Sequence, residues 1–407
     1  MQATLESPQE TVPRQVRPPR AGRVGTAQIV AAEAGLLGVA GAAYALPPGL
    51  ALPAVVVIVA AMLVVVGRYR GRWWYEVGGA VMRLRRRRAV AGTVHRTSAG
   101  DDWGELSKIA PEITIDQIQH RNMYIGIGLD DQGWFAAIEV APPDGLTAIG
   151  AADLRLSALT RLAGPLSTVQ LLVRAAPFSG ADARSPCAES YRELRSMLAV
   201  PAERQAWIVV RLAPGDAADA AADQGGEIIG VHATLSAGLA RIGDELTAHG
   251  VPHHVLDGAG LRQALIAGYG SGPYDGTPSR GRFRPHESWR RWRGSRAMHL
   301  SYGVTSWSVK SAPVVLDALA QVPSAFGVNV AVLTGALRRP DHVDGPLASR
   351  LVVRVVTSPE LEGECRRQLR ASARQVGARL VRLDGEHAPA VWSTMPTASP
   401  YGWGRPW

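Results

Sequence analysis

The sequence predicts a membrane-anchored α/β (α+β) protein: two N-terminal transmembrane helices, then a cytoplasmic region of two pseudo-repeated β-α-β-β-α-β-like lobes. Three observations carry this expectation. Two apolar runs lie side by side at 27–46 and 50–66, the excess of basic residues flanks those runs, and both halves of the remaining chain close on the same short string. The divisions follow: a basic tail (1–26), the helical hairpin (27–66), a basic juxtamembrane linker (67–100), lobe 1 (101–268), a flexible loop (269–285), lobe 2 (286–392) and a C-terminal tail (393–407).

The first run carries one charge, Glu33, and the second, rich in valine, carries none. Twenty helical residues span about 30 Å, the thickness of the hydrocarbon core. The second run is shorter, and Arg68 and Arg70 can snorkel to make up the difference. Pro47, Pro48 and Gly49 stop one helix and turn the chain, so the two segments are expected to be antiparallel neighbours. Ala34, Gly38 and Ala42 recur at helical spacing, beside Ala31 and Gly35, and form a candidate packing face on which backbones approach closely. Glu33 costs roughly 2.5–3.5 kcal/mol at a membrane centre, so it either snorkels or meets a partner within a larger assembly.

Charge sets the orientation. Residues 1–96 hold 13 of the 44 basic and 4 of the 35 acidic residues, which leaves 31 of each in 97–407. The net charge of +9 is therefore a topology signal, and a nucleic-acid partner is not expected. Arginines 14, 17, 20 and 23 precede the hairpin, many more follow it, and the turn has none, so both termini are expected in the cytoplasm, with the chain multi-pass in the inner membrane. Arg68, Arg70, Arg72, Trp73, Trp74 and Tyr75 are candidate interface anchors. Arg85, Arg86, Arg87 and Arg88 form a basic patch for anionic lipid or a partner, at roughly 1 kcal/mol per charge.

In the soluble region, alternation predicts a hairpin over 122–130 and 134–140, strands at 169–175 and 206–212, and helices at 154–162, 190–198 and 227–249, the last stopped by Gly250. A short strand follows at 253–256. The second half repeats the order: strand 298–304, helix 314–319, strands 327–333 and 350–356, helix 359–376 with Gly377 as its stop, and strand 380–383. Val255-Leu-Asp-Gly258 and Arg382-Leu-Asp-Gly385 then match. Trp289-Arg290-Arg291-Trp292-Arg293 is a candidate docking face for a partner or lipid, or else an ordinary amphipathic edge. Cys365 falls on an apolar helical stripe, so a buried thiol is expected in place of a disulfide with the distant Cys187.

Chemistry is hard to find. A Walker loop needs glycine before Lys-Ser/Thr, and Val309 stands before Lys310-Ser311. His253, His254 and Asp257 form the densest titratable group, but adjacent strand histidines point to opposite faces. Gly126-Ile-Gly128 sits within a strand with no helix opening after it. No catalytic residue, cofactor site or metal site is expected. A membrane-tethered enzyme of glycosyltransferase-like type is the alternative; it wants Asp-x-Asp on a strand end, and the nearest acidic pairs, Asp101-Asp102 and Asp130-Asp131, are adjacent residues in linkers or turns.

The order of features resembles the EccE family of the type VII (ESX) secretion system: a basic lead, two helices split by a proline turn, Arg68-Tyr-Arg-Gly-Arg-Trp-Trp74 just beyond, an α/β region and a tryptophan-bearing tail. The resemblance implies a non-enzymatic component of the secretion membrane complex. Its partners would be EccB, the EccC ATPase and EccD, with the mycosin protease as a further candidate, and inner-membrane lipid around it.

Overall fold

The computed structural model describes residues 14–15, 26–69, 72–93, 102–120, 122–140, 167–176, 190, 203–223, 226–270, 285–294, 297–307, 312–322, 326–336 and 347–399. A short strand β1 (Arg14–Gln15) precedes the helices α1 (Thr26–Ala45) and α2 (Pro48–Val66). Strands β2 (Arg68–Tyr69) and β3 (Arg72–Trp73) pair with each other and lead into α3 (Trp74–Thr93). The stretch read as a linker is thus a 20-residue helix over much of its length. Arginine is a good helix former, and Val77, Ala80 and Leu84 mark a covered stripe at helical spacing that the charge run obscures.

The first half continues as α4 (Asp102–Ile109), β4 (Thr114–His120), β5 (Met123–Asp130), β6 (Gly133–Val140), β7 (Ser167–Ala176), β8 (Glu203–Leu212), α5 (Pro214–Asp223), α6 (Glu227–Ala248), β9 (His253–Val255) and α7 (Gly258–Tyr269). The second half comprises β10 (His286–Glu287), β11 (Trp292–Arg293), β12 (Met298–Thr305), α8 (Ala312–Ala320), β13 (Gly327–Ala336), β14 (Leu347–Thr357), α9 (Glu362–Gln375), β15 (Arg379–Arg382) and α10 (His387–Ser393). The expected helices at 154–162 and 190–198 lie outside the described residues, Ser190 apart, as do 271–284 of the expected loop. Elements α4, β4, α5, α7 and α10 carried no clear periodic signal in the sequence.

One large antiparallel sheet runs through both halves in the order β10-β11-β12-β14-β13-β7-β8-β6-β5-β4, with β9 on β6 and β15 on β12. The order reads the same in both directions under exchange of the halves. Its centre is the β7–β13 pair, where Leu172 stands opposite Ala331. On either side the split β-α-β order recurs: β9-β6-β8-β7 and β15-β12-β14-β13. Register confirms it. Ile138 pairs with Val255 and Tyr302 with Arg382. One residue further on, Leu256 N–H donates to Ala137 O at 3.0 Å and Leu383 N–H to Ser301 O at 3.1 Å. The matching Leu-Asp-Gly strings therefore occupy equivalent places. The helices before them end alike: Gly250 and Gly377 adopt φ of 65° and 70°, and Val251 N–H and Ala378 N–H close onto Leu246 O and Ala373 O at 2.9 and 2.8 Å.

The sheet's two faces differ. One is covered by α5, α6, α8 and α9, whose leucines, valines and alanines meet the aliphatic residues of every long strand. Cys365 is buried there, its thiol 3.3 Å from the Thr357 hydroxyl. The other face is covered by α4, α7, α10 and the segment after α10. Every residue from Val391 to Ser399 is buried, so the boundary placed at 393 falls inside the core and the tail does not begin there.

Candidate assembly interface

Among the described residues no group of three His, Cys, Asp or Glu could hold a metal ion. His254 meets Glu139 at 3.3 Å, His253 meets Val251 O, and Asp257 accepts from Gly260 N–H at 2.7 Å as the N-cap of α7. The densest titratable group of the sequence thus has structural partners. Gly126 has a packing reason as well: a methyl group there would fall 2.4 Å from Asp257 O.

What the structure offers is surface and joints. Helices α1 and α2 form an antiparallel hairpin closed at Pro47, whose carbonyl accepts from Leu50 and Ala51. A methyl group on Gly35 would fall 2.3 Å from Met62 Sδ, and one on Gly38 3.5 Å from Ile58 Cδ1. Ala31, Gly35, Gly38 and Ala42 are half-buried, whereas Glu33 and Ala34 are exposed. The face that α1 turns to α2 therefore contains Gly38 and Ala42 but passes through Gly35, leaving Ala34 and Glu33 turned away. On the other faces large apolar side chains are exposed, among them Leu37, Tyr44, Leu52 and Val57. Among the described residues, no helix is long and apolar enough to cross a membrane.

Of the expected interface anchors, Trp74 is half exposed and its backbone N–H donates to Gly67 O at 3.0 Å. Arg70 and the side chains of Arg68, Arg72, Trp73 and Tyr75 lie outside the described residues.

The arginine run of α3 is divided in two. Arg85 and Arg86 are exposed, but Arg87 makes a bidentate pair with Glu287 at 3.0 and 3.2 Å and donates to Gly385 O at 2.5 Å. Arg88 donates twice to Glu287 O, at 2.8 and 2.6 Å, and Arg83 pairs with Glu386 at 2.6 Å. A surface read as a lipid patch is thus half a clasp that fixes α3 to β10 and the start of α10. Glu287 also accepts from Ala388 N–H at 3.0 Å, so one carboxylate holds two elements. Burial pushes its carboxyl above the usual range, and the Arg87 guanidinium pulls the other way. Sequence reasoning missed Arg83, Glu287 and Glu386 as a set, because the partners stand 200 and 303 residues apart.

Of the two readings of the Trp-Arg segment, its packing fits the ordinary amphipathic edge. Trp292 is buried and its Nε1–H donates to Tyr269 Oη at 3.0 Å, while Trp289 packs against Gly385 and Arg291 pairs with Glu362. Only Arg290 and Arg293 are exposed, so the segment is a packed sheet margin and not a docking face for tryptophan.

The face under α10 is held by buried charge. Arg211 makes two bonds to Asp130, at 2.6 and 2.8 Å, and donates to Thr397 O at 2.7 Å. Both side chains of that pair are 1% exposed, so Asp130, read as a turn residue, is an internal ion. Arg354 meets no carboxylate among the described residues. It donates to Tyr269 O and to Thr394 Oγ1, and to Gly268 O and Thr394 O, at the last turns of α7 and α10. Those two helix C-termini, each carrying about half a negative charge, serve as its counter-ion. Burial pushes this guanidinium down to about 9, still protonated at neutral pH.

The fold and these joints define a class: an α+β protein that carries an apolar helical hairpin on a pseudo-two-fold antiparallel sheet, with charged groups committed to holding its parts together. Residues 200–304, from just before β8 to β12, match the family model described as "Putative type VII ESX secretion system translocon, EccE", so this part of the chain is similar to that family. No curated protein matches it.

Proposed function

We propose that this protein is a non-catalytic structural component of the type VII (ESX) secretion membrane complex, supporting protein export across the inner membrane. The observation that carries the reading is the family match over 200–304. In this reading α1 and α2 lie in the inner membrane with both termini in the cytoplasm. The runs 27–46 and 50–66, the flanking arginines and the exposed apolar faces of the hairpin support that placement. EccB, EccC and EccD are the proposed partners, with EccC supplying the ATPase and the mycosin protease a further contact.

The test is co-purification in mild detergent from cells expressing the whole system. A large complex containing the ATPase is expected; a solitary monomer at native expression overturns the scaffold role. Replacing Gly38 and Ala42 by leucine separates α1 from α2 at the Ile58 contact and is expected to lower complex yield at least several-fold without unfolding the sheet. Unchanged yield removes the hairpin from the assembly surface.

A further inference from the structure

The pseudo-two-fold supplies an internal control for what the fold itself requires. Equivalent positions are set by the shared registers: Ile138 corresponds to Tyr302 and Val255 to Arg382 on the strands. The common helix ends place Leu239 and Gly243 of α6 where α9 has Arg366 and Arg370. In the first half this corner contains Ile138, Val255, Leu239 and Gly243, with Ile138 and Leu239 fully buried. In the second half the same corner holds one tyrosine and three arginines. The architecture works without charge there, so the arginines are not a folding requirement.

The local structure neutralises only one of them: Arg382 pairs with Asp384, while Glu362 of α9, also within reach of this corner, pairs with Arg291. Arg366 and Arg370 have no ion-pair partner among the described residues, although they stand one turn apart, a like-charge spacing that destabilises a helix. Tyr302, directly across from Arg382, is 1% exposed and its hydroxyl has no hydrogen-bond partner among the described residues. A buried donor left unmade is costly, and it faces a cluster of cations. Burial pushes that hydroxyl above its ordinary range and Glu362 adds to the rise, while Arg370, Arg382 and Arg366 act in the opposite direction.

We propose that Tyr302, Arg366, Arg370 and Arg382 form a binding site for a phosphate-bearing anion. The Arg366 and Arg370 guanidiniums supply forked, charge-assisted donors suited to phosphate oxygens, Arg382 adds the Nη1 that its pair with Asp384 leaves over, and the tyrosine hydroxyl supplies one more donor from the floor. Two sources share that chemistry: the phosphate of an anionic lipid headgroup and a soluble phosphate. The corner adjoins the α3 clasp, since Arg382 and Asp384 directly precede Gly385 and Glu386, the partners of Arg87 and Arg83.

The experiment titrates the full chain, purified in mild detergent, at low salt by calorimetry. One arm uses inorganic phosphate; the other uses mixed micelles carrying phosphatidic acid, against micelles of phosphatidylcholine alone. Saturable binding is expected in at least one arm. It should weaken about tenfold or more in R366Q/R370Q and a few-fold in Y302F, since each removes donors to a charged group. The control R374Q/R379Q removes as much charge from the same region and is expected to change affinity less than about twofold. Binding by phosphate alone assigns a soluble ligand, and binding by phosphatidic acid micelles alone assigns a headgroup. No saturable binding in either arm, or equal losses in the two double variants, overturns the site. A thermal melt of R366Q/R370Q, expected to be unchanged or slightly higher than that of the parent, separates lost binding from lost folding.

Discussion

Two arginines on the same face of the sheet are neutralised in different ways, and their removal should differ accordingly. Arg211 is matched by the Asp130 carboxylate, so Arg211→Met leaves a buried anion behind. A cost of about 3–5 kcal/mol is expected, read as a fall of about 10 °C in the thermal midpoint. Arg354 is matched by helix C-termini, so Arg354→Met leaves carbonyls short of donors but no stranded charge, and a smaller fall is expected. Equal losses would contradict the assignment of counter-ions. His299 gives the pH dependence. It is buried between Arg354, at 2.8 Å, and the Tyr269 ring, and burial pushes it well below 6.5, with Arg354 and His387 adding to the effect. A depressed histidine contributes stability that is present above the unfolded value near 6.5 and is lost as pH falls below it. Urea unfolding of the parent should therefore lose up to about 1.4 kcal/mol per pH unit from this group below pH 6.5, and His299→Gln should show a shallower slope. None of these roles was visible in the chain, because an isolated arginine or histidine in a strand does not announce what will stand across from it.

At the scale of elements, α3 shows how a signal can be read correctly as charge and wrongly as shape. The arginine run leaves Arg85 and Arg86 as free basic surface; Arg83 and Arg87 are half-buried against the sheet margin, and the exposed Arg88 reaches it through Glu287 O. The clasp predicts that Arg83→Ala/Arg87→Ala loosens α3 from β10. Hydrogen exchange across 77–93 should rise by an order of magnitude or more, while exchange in β7 and β13 stays unchanged. A double-mutant cycle on Arg87 and Glu287 should return a coupling of about 0.5–3 kcal/mol; a value near zero would make the contact incidental. Other elements were legible. The hairpin at 123–140, strands β7, β8, β12, β13 and β14, and helices α6, α8 and α9 follow the periodicity of their residues, because one face of each meets the core. Helices α5 and α10 were not: they are short, rich in alanine or proline, and α10 is buried nearly all round, which leaves no alternation to detect.

The whole molecule is a pair of related halves joined edge to edge at β7 and β13, and then locked on one face by a segment that belongs only to the second half. Gln170 of β7 holds both ends of that segment: its Nε2 donates to Ser393 O at 2.8 Å and its Oε1 accepts from Ala398 N–H at 2.7 Å. Asn329 is the equivalent amide in β13 and binds Gly268 O and Thr394 O. A chain ended after Ser393 therefore loses acceptors for Arg211, Arg354 and Asn329 together. It is expected to lose cooperative unfolding, measured by near-ultraviolet circular dichroism against urea; a sharp transition at the parent midpoint would show that the segment is dispensable.

By itself the sequence determined two apolar helices around a proline turn, a basic flank to that pair, and a repeated strand–helix order closing on Leu-Asp-Gly, since each of these is written in neighbouring residues as composition or period. Only the tertiary structure decided that the halves share one continuous sheet, that residues 393–399 are core, that α3 is clasped, and that the corner at Tyr302 is charged where its counterpart is apolar. Those features join residues distant along the chain, and periodicity records which face of an element is buried but not what it is buried against.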